Sequence, residues 1–194
     1  MVKSNGQLDL VLGCMFSGKS TELIRRIRLY RLVKKNILVI SHTADARYER
    51  SEVNVVTHNQ DKEMALKVSE LLPICTLSDY SSADIIFIDE GQFFKDIVPF
   101  VHRAIDIDGK HVVISALDGD FNRQPFENIS YLIPMADTYT KLTALCPLCC
   151  DGTPAIFSKL LIPPPFQRAS HQVLVGGEES YMSVCRRHYY SSVA

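Results

Sequence analysis

Eight consecutive residues, Gly13-Cys14-Met15-Phe16-Ser17-Gly18-Lys19-Ser20, fit the pattern G-x-x-x-x-G-K-[ST], whose chemistry is the holding of a polyphosphate. Gly13 and Gly18 let the backbone wrap an anion, and the successive N–H groups through Met15, Phe16 and Ser17 converge on it with a helix N-terminus. Lys19 adds a mobile positive charge, and the Ser20 hydroxyl can ligate Mg²⁺. A second group is Ile85-Ile86-Phe87-Ile88-Asp89-Glu90, an apolar run that ends in two acids. Asp89 suits the holding of Mg²⁺ or its water shell beside the phosphates. Glu90 could turn toward the cleft and take a proton from an attacking hydroxyl or water. The third group pairs Cys146-x-x-Cys149 with Cys185-x-x-His188, two knuckles that can close a tetrahedral Cys₃His site of the structural zinc type. Cys150 is a competing ligand beside the first knuckle.

Elements must bring these groups together. Residues 7–13 read as a strand that runs into the phosphate loop, and residues 20–33 as the helix leaving it, with Leu23, Ile27 and Tyr30 on one stripe. Short apolar runs at 37–40, 85–88 and 111–117 have the pattern of strands covered on both faces. Residues 63–72 suggest a short helix stopped by Pro73. Residues 96–108 place Ile97, Phe100, Val101, Ala104 and Ile105 at helical spacing. Buried strands separated by helices predict an α/β fold, a parallel sheet with helices on both faces. After residue 144 the texture changes to knuckles, a triple proline at 163–165 and short β-like pieces such as 172–175. A boundary is therefore expected there, with an ATP-binding core at 1–144 and a loop-rich metal lobe at 145–194, a size at which a staple helps.

The whole chain has 194 residues, 46% apolar and 22% charged, with 21 basic against 22 acidic side chains and a formal charge of −1. That supports a folded core and gives no electrostatic ground for nucleic acid or a membrane surface as partner. No stretch nears the roughly 18 to 20 apolar residues of a spanning helix, and residues 1–6 lead into no apolar signal segment, so a cytoplasmic protein is expected. Four of the six cysteines lie in the last quarter, which favours thiolate–metal chemistry over disulfides. A nucleic-acid-dependent ATPase with a zinc knuckle is the alternative class, with Arg25, Arg26, Arg28 and Arg31 as its basic stripe. These arginines spread around the helix, so a solvated surface is the ordinary reading. A cysteine redox protein would need a C-x-x-C outside any metal site.

In order and spacing the motifs resemble one family, the type II thymidine kinases. The likeness rests on G-x-M-F-S-G-K-S at 13–20, D-x-R at 45–47, I-D-E-G-Q-F-F at 88–94, A-L-D-G-x-F at 116–121 with P-F at 125–126, K-L-T-A at 141–144, both knuckles, and G-G-x-x-x-Y-x-x-V-C at 176–185. It implies a RecA-like phosphate-loop core with a small zinc-binding lasso lobe, and transfer of the ATP γ-phosphoryl group to the 5′-hydroxyl of thymidine or deoxyuridine. It also implies roles: Lys19 and the loop amides on the phosphates, Ser20 and Asp89 on Mg²⁺, Glu90 as base, and Arg47 on the transferring phosphoryl. Asp45, Met15, Phe93, Leu117, Phe121 and Phe126 match the nucleoside pocket, and Tyr181 with the backbone around Val175 and Gly176 matches the lasso. On residue type alone the apolar ones read better as core, and the resemblance reverses that. A homotetramer and feedback inhibition by dTTP are implied by the family alone.

The chain also departs from the family. Cys14 stands where proline is usual. Ser158-Lys159-Leu160 lacks the arginine of T-x-R, and the lasso is lengthened near Asp151-Gly152. A thiol among loop amides and near Lys19 is expected to be reactive if the loop is open to water, and neutral and inert if it points into the core behind the first strand. Loosening the zinc lobe, as by Cys185→Ser, is expected to weaken nucleoside binding more than ATP binding.

Overall fold

The computed structural model describes residues 6–44, 54–56, 62–161 and 180–191. The alternation of apolar runs with helical stripes resolves as β1 (Gln7–Gly13), α1 (Lys19–Leu32), β2 (Ile37–His42), the antiparallel pair β3 (Asn54–Val56) and β4 (Lys62–Met64), and β5 (Leu66–Val68). Next come α2 (Ser78–Ser82), β6 (Ile85–Asp89), α3 (Ile97–His102), β7 (His111–Leu117), α4 (Glu127–Leu132) and β8 (Thr138–Leu142). The remainder is β9 (Ala144–Leu145), β10 (Pro154–Ala155), β11 (Phe157–Leu160), β12 (Tyr181–Val184) and α5 (Arg186–Tyr190). Six strands form one sheet in the order β5-β2-β6-β7-β1-β8, with every pairing parallel. The α/β expectation holds.

Both faces of the sheet are covered, which is why its strands read as continuous apolar runs. Successive side chains point oppositely. Leu8, Leu10, Leu12, Ile86, Ile88, Val112 and Ile114 enter the larger core with Phe94, Ile97, Phe100, Ile129 and Leu132. Val39, Ile85, Phe87 and Val113 enter the smaller one with Leu23, Ile24 and Ile27 of α1. The helix expected at 96–108 begins as α3 and continues as a wider π-type turn over Arg103–Ile107.

Residues 63–72 are not a helix. They carry the end of β4 and the edge strand β5, where Leu66 and Val68 lie across from Ile40 and His42. An alternating Leu-Lys-Val at the sheet edge gains more from pairing with β2 than from an isolated helical turn. Pro73 opens the 3₁₀ turn Leu72–Thr76 instead of closing a helix, as its fixed φ allows.

One polar side chain is buried under α1. Asp9, 6% exposed, accepts hydrogen bonds from Thr138 Oγ1 at 2.7 Å and Gln7 Nε2 at 3.1 Å, and meets His111 Nε2 at 2.9 Å. Burial pushes its carboxyl up, but the hydrogen bonds from His111 and Thr138, with the charge of His111, outweigh this and hold it at about 2. A carboxyl lowered by folding stabilises the fold fully above its unfolded value and loses that contribution as pH falls through the folded one. Asp9→Asn is therefore expected to be less stable by about 1–3 kcal/mol at pH 7. The gap from the parent, read by urea unfolding, should stay constant above pH 5 and narrow as pH falls from about 4 toward about 2. A gap independent of pH would remove Asp9 from the acid response.

Candidate active site

In an open parallel sheet, ligands bind beyond the carboxyl ends of the strands, where the connections diverge. Here β1 delivers Gly13, β6 delivers Asp89 and β7 delivers Leu117 to that edge. The two glycines of the loop are required for different reasons. A Cβ at Gly13 would lie 2.6 Å from the Leu142 carbonyl oxygen and 2.6 Å from Ser17 Oγ, so β8 and the loop leave no room for one. Gly18 has open space but a φ of 84°, a left-handed conformation that other residues adopt at a cost. Inside the turn, Ser17 Oγ and Lys19 Nζ donate to the Cys14 carbonyl at 2.8 and 2.9 Å. Helix α1 starts immediately after, at Lys19.

Ser20 and Asp89 meet as the sequence suggested. Ser20 Oγ donates to Asp89 Oδ2 at 3.1 Å and lies 3.4 Å from Oδ1. The buried Ser115, on the strand between β1 and β6, also donates its hydroxyl to Asp89. A carboxylate and a hydroxyl at this separation form the donor set that suits a hard divalent cation such as Mg²⁺. Glu90 follows, 5% exposed and in the left-handed region with φ 54°. Such strain in a non-glycine residue accumulates at functional sites. Gln92 Nε2 donates to Glu90 Oε2, and Gln92 Oε1 accepts from the Leu117 N–H at 3.0 Å. Asn128 Nδ2 donates to the Gln92 and Phe94 carbonyls at 3.1 and 2.9 Å. Gln92 and Ser115 therefore brace the two acids. Gln92 stood inside a quoted motif with no role, and Ser115 had no signal beyond being a polar residue in a buried strand.

The expected nucleoside-pocket residues divide. Met15, Phe121 and Tyr181 gather with Phe16 and Leu160 in one apolar cluster, Phe121 and Tyr181 having ring centroids 6.4 Å apart. Phe126 and Leu117 pack with the larger sheet core, and the Phe93 ring lies 5.6 Å from that of His42. Asp45, Arg47, Val175 and Gly176 lie outside the described residues, as do the triple proline and the β-like piece at 172–175.

The two knuckles converge. Cys146, Cys149, Cys185 and His188 place their ligand atoms within 4.8 Å of one another. Cys149 Sγ is 3.7 Å from Cys185 Sγ, and His188 Nδ1 lies 3.5, 3.3 and 3.4 Å from the sulfurs of Cys146, Cys149 and Cys185. A tetrahedron built with zinc bond lengths has S–S edges of about 3.8 Å and S–N edges of about 3.5 Å, so the donor set fits a closed metal site. Burial acts to raise the Cys146 thiol, yet hydrogen bonds from the Cys185 backbone and from His188 bring it below the usual thiol range, while burial and the neighbouring thiols push Cys149 up. Cys150 does not join. It is exposed, with φ 54°, and its thiol donates to the Pro147 carbonyl at 2.9 Å.

Of the two readings of Cys14, the structure takes the inert one. Cys14 is 1% exposed, its thiol donates to the Ala155 carbonyl at 3.4 Å, and burial raises its pKa. It is a packed, neutral thiol, because strand β10 covers the side of the loop to which it points. The strands of the Cys/His lobe also touch residues 13–20. Ser158 and Ser183, on β11 and β12, both bond the Met15 backbone, and the Met15 N–H is engaged by Ser158 rather than held for a phosphate. The departure at 158–160 also has a structural use, since Lys159 Nζ donates to the His188 carbonyl at 2.9 Å at the end of α5.

The supposed basic stripe is partly neutralised, with Arg25 and Arg26 paired to Glu22 at 2.6 and 2.8 Å. Among the described residues, no helix is long and apolar enough to cross a membrane.

The family model described as thymidine kinase matches residues 6–189. The thymidine kinase of monkeypox virus is 41% identical over 190 residues, covering 97% of this chain and 99% of that protein. That of Yaba monkey tumor virus is 43% identical, covering 98% of each, and that of raccoon poxvirus is 42% identical over 187 residues, covering 96% and 98%. A parallel sheet that carries a phosphate loop, an acid pair and a Cys/His cluster in this order is thus matched along nearly its whole length, and the chain belongs to the thymidine kinase family.

Proposed function

We propose that the protein transfers the γ-phosphoryl group of ATP to the 5′-hydroxyl of thymidine, and of deoxyuridine, yielding the nucleoside 5′-monophosphate and ADP for nucleotide salvage. The observation that carries this reading is the meeting of Ser20 with Asp89 at 3.1 Å, with Glu90 the next residue in the chain. Lys19 and the amides from Phe16 to Ser20 hold the β- and γ-phosphates. Ser20 and Asp89 hold Mg²⁺, which when bound neutralises charge on the β- and γ-oxygens. The Glu90 carboxylate takes the proton of the 5′-hydroxyl as its oxygen forms the new P–O bond and the bond to the ADP oxygen breaks. Because phosphoryl transfer asks little covalent help of the protein, alignment of the two oxygens and charge neutralisation supply most of the acceleration.

Met15, Phe121 and Tyr181 supply apolar walls for the base, and the family likeness adds Phe93, Leu117, Phe126, Asp45, Val175 and Gly176 to the residues that bind the nucleoside. Arg47 stabilises charge on the transferring group. The core comprises residues 1–144, and residues 145–194 form a lobe whose Cys146, Cys149, Cys185 and His188 hold structural Zn²⁺. The family likeness further supports a cytoplasmic homotetramer inhibited by its distant product dTTP, with no nucleic acid or membrane as partner.

ADP formation should depend on added thymidine and be unaffected by DNA; DNA-stimulated hydrolysis without nucleoside would favour the ATPase alternative. Glu90→Gln should keep nucleotide binding and lose at least about 10²-fold in kcat; near-parent turnover would remove Glu90 from the reaction. Elemental analysis should find about one zinc per chain, bound through three sulfurs and one nitrogen by X-ray absorption. A metal-free protein of unchanged thermal stability would overturn the metal assignment.

A further inference from the structure

The phosphate loop is gripped from outside by the lobe that follows it. Strands β11 and β12 pair antiparallel with Ser158 directly opposite Ser183, and each serine is 5% exposed. Ser158 Oγ accepts from the Met15 N–H at 3.0 Å, and Ser183 Oγ donates to the Met15 carbonyl at 2.7 Å. Two hydroxyls thus take both backbone groups of a single loop residue. Buried peptide groups need partners, and a loop wrapped around an anion cannot supply them from a regular ladder.

The geometry has a consequence for the next residue. No peptide bond among the described residues is cis, so the N–H of Phe16 points opposite to the Met15 carbonyl. Fixing that carbonyl on Ser183 turns the Phe16 N–H away from the hairpin. Phe16 has a φ of 60°, a conformation that a non-glycine residue holds only when its surroundings over-determine it. The grip on Met15 supplies that determination.

We propose that Ser158 and Ser183 are positioning residues for the nucleotide triphosphate: by clamping the Met15 peptide they hold the phosphate loop in its anion-receiving shape. The proposal rests on the reading of residues 13–20 as a nucleotide site. The two hydroxyls touch the loop and not the phosphates, so their removal alters loop order instead of a direct contact.

The test uses the full-length, metal-loaded protein with Ser158→Ala, Ser183→Ala, the double variant and Ser183→Thr. The non-hydrolysable probe AMP-PNP, with Mg²⁺, is titrated by calorimetry without nucleoside, and KM for ATP, kcat and melting temperature are measured alongside. Each alanine variant should weaken AMP-PNP binding and raise KM for ATP about 3- to 10-fold, the loss expected for one hydrogen bond. The kcat at saturation should stay within about twofold, and Ser183→Thr should restore affinity. Loss of melting temperature with nucleotide affinity unchanged would show a merely structural contact and overturn the proposal. If the alanine variants do not fold, amide exchange in the unaltered protein decides. A Met15 N–H protected before nucleotide is added supports the clamp, and a rapidly exchanging one refutes it. Because AMP-PNP needs no acceptor, a parent that binds it without thymidine-dependent turnover refutes the kinase reading alone, whereas binding indifferent to both serines refutes the clamp alone.

Discussion

Asp89 is a buried acid, 3% exposed, at the carboxyl end of a central strand, and much of the molecule is arranged to meet its oxygens there. Isolated, a buried carboxylate would be driven to its neutral form. Hydroxyls from Ser20 and Ser115 approach it from α1 and from β7. Those two hydroxyls are placed only if the sheet has its parallel order, with β7 between β1 and β6. The apolar cores on the two faces hold that order, and the order sets the spacing of polar atoms at the strand ends.

The site also contains backbone strain that its neighbours offset. Phe16 and Glu90 both occupy the left-handed region, one in the phosphate loop and one beside the acid that faces it. Each has external support: Met15 is held by the hairpin serines, and the Glu90 carboxylate is met by Gln92, itself fixed to the Leu117 N–H. Strain of this kind persists where the surroundings are rigid, and the fully buried Phe94 and Ile114, packed about Gly91 next to Glu90, provide that rigidity there.

Much of this was legible from residue types and spacing. The strand before Gly13, the helix after it, the apolar runs at 85–88 and 111–117 and the Cys/His knuckles each carry a local signature, and the structure agrees with each. The edge strand β5 was missed because Leu66-Lys67-Val68 is too short to distinguish a period of two from one of 3.6. The fate of Cys14 was illegible for another reason: its environment is set by Ala155, which approaches from far along the chain. Ser158 and Ser183 were invisible in the same way, since a serine in a short strand has no periodicity that marks it as a partner of a distant turn. Local patterns reveal which groups exist at the site; only tertiary approach reveals which of them are held and which are hidden.

The contacts of Ser158 and Ser183 with Met15 span 143 and 168 positions of the chain. A ribosome making this chain therefore releases residues 13–20 well before the strands that support them. During synthesis, the growing chain carries a glycine-rich turn that lacks part of its hydrogen bonding until β11 and β12 emerge and dock. A chain shortened before β12 would therefore lack Ser183 and leave the Met15 carbonyl without that hydroxyl partner.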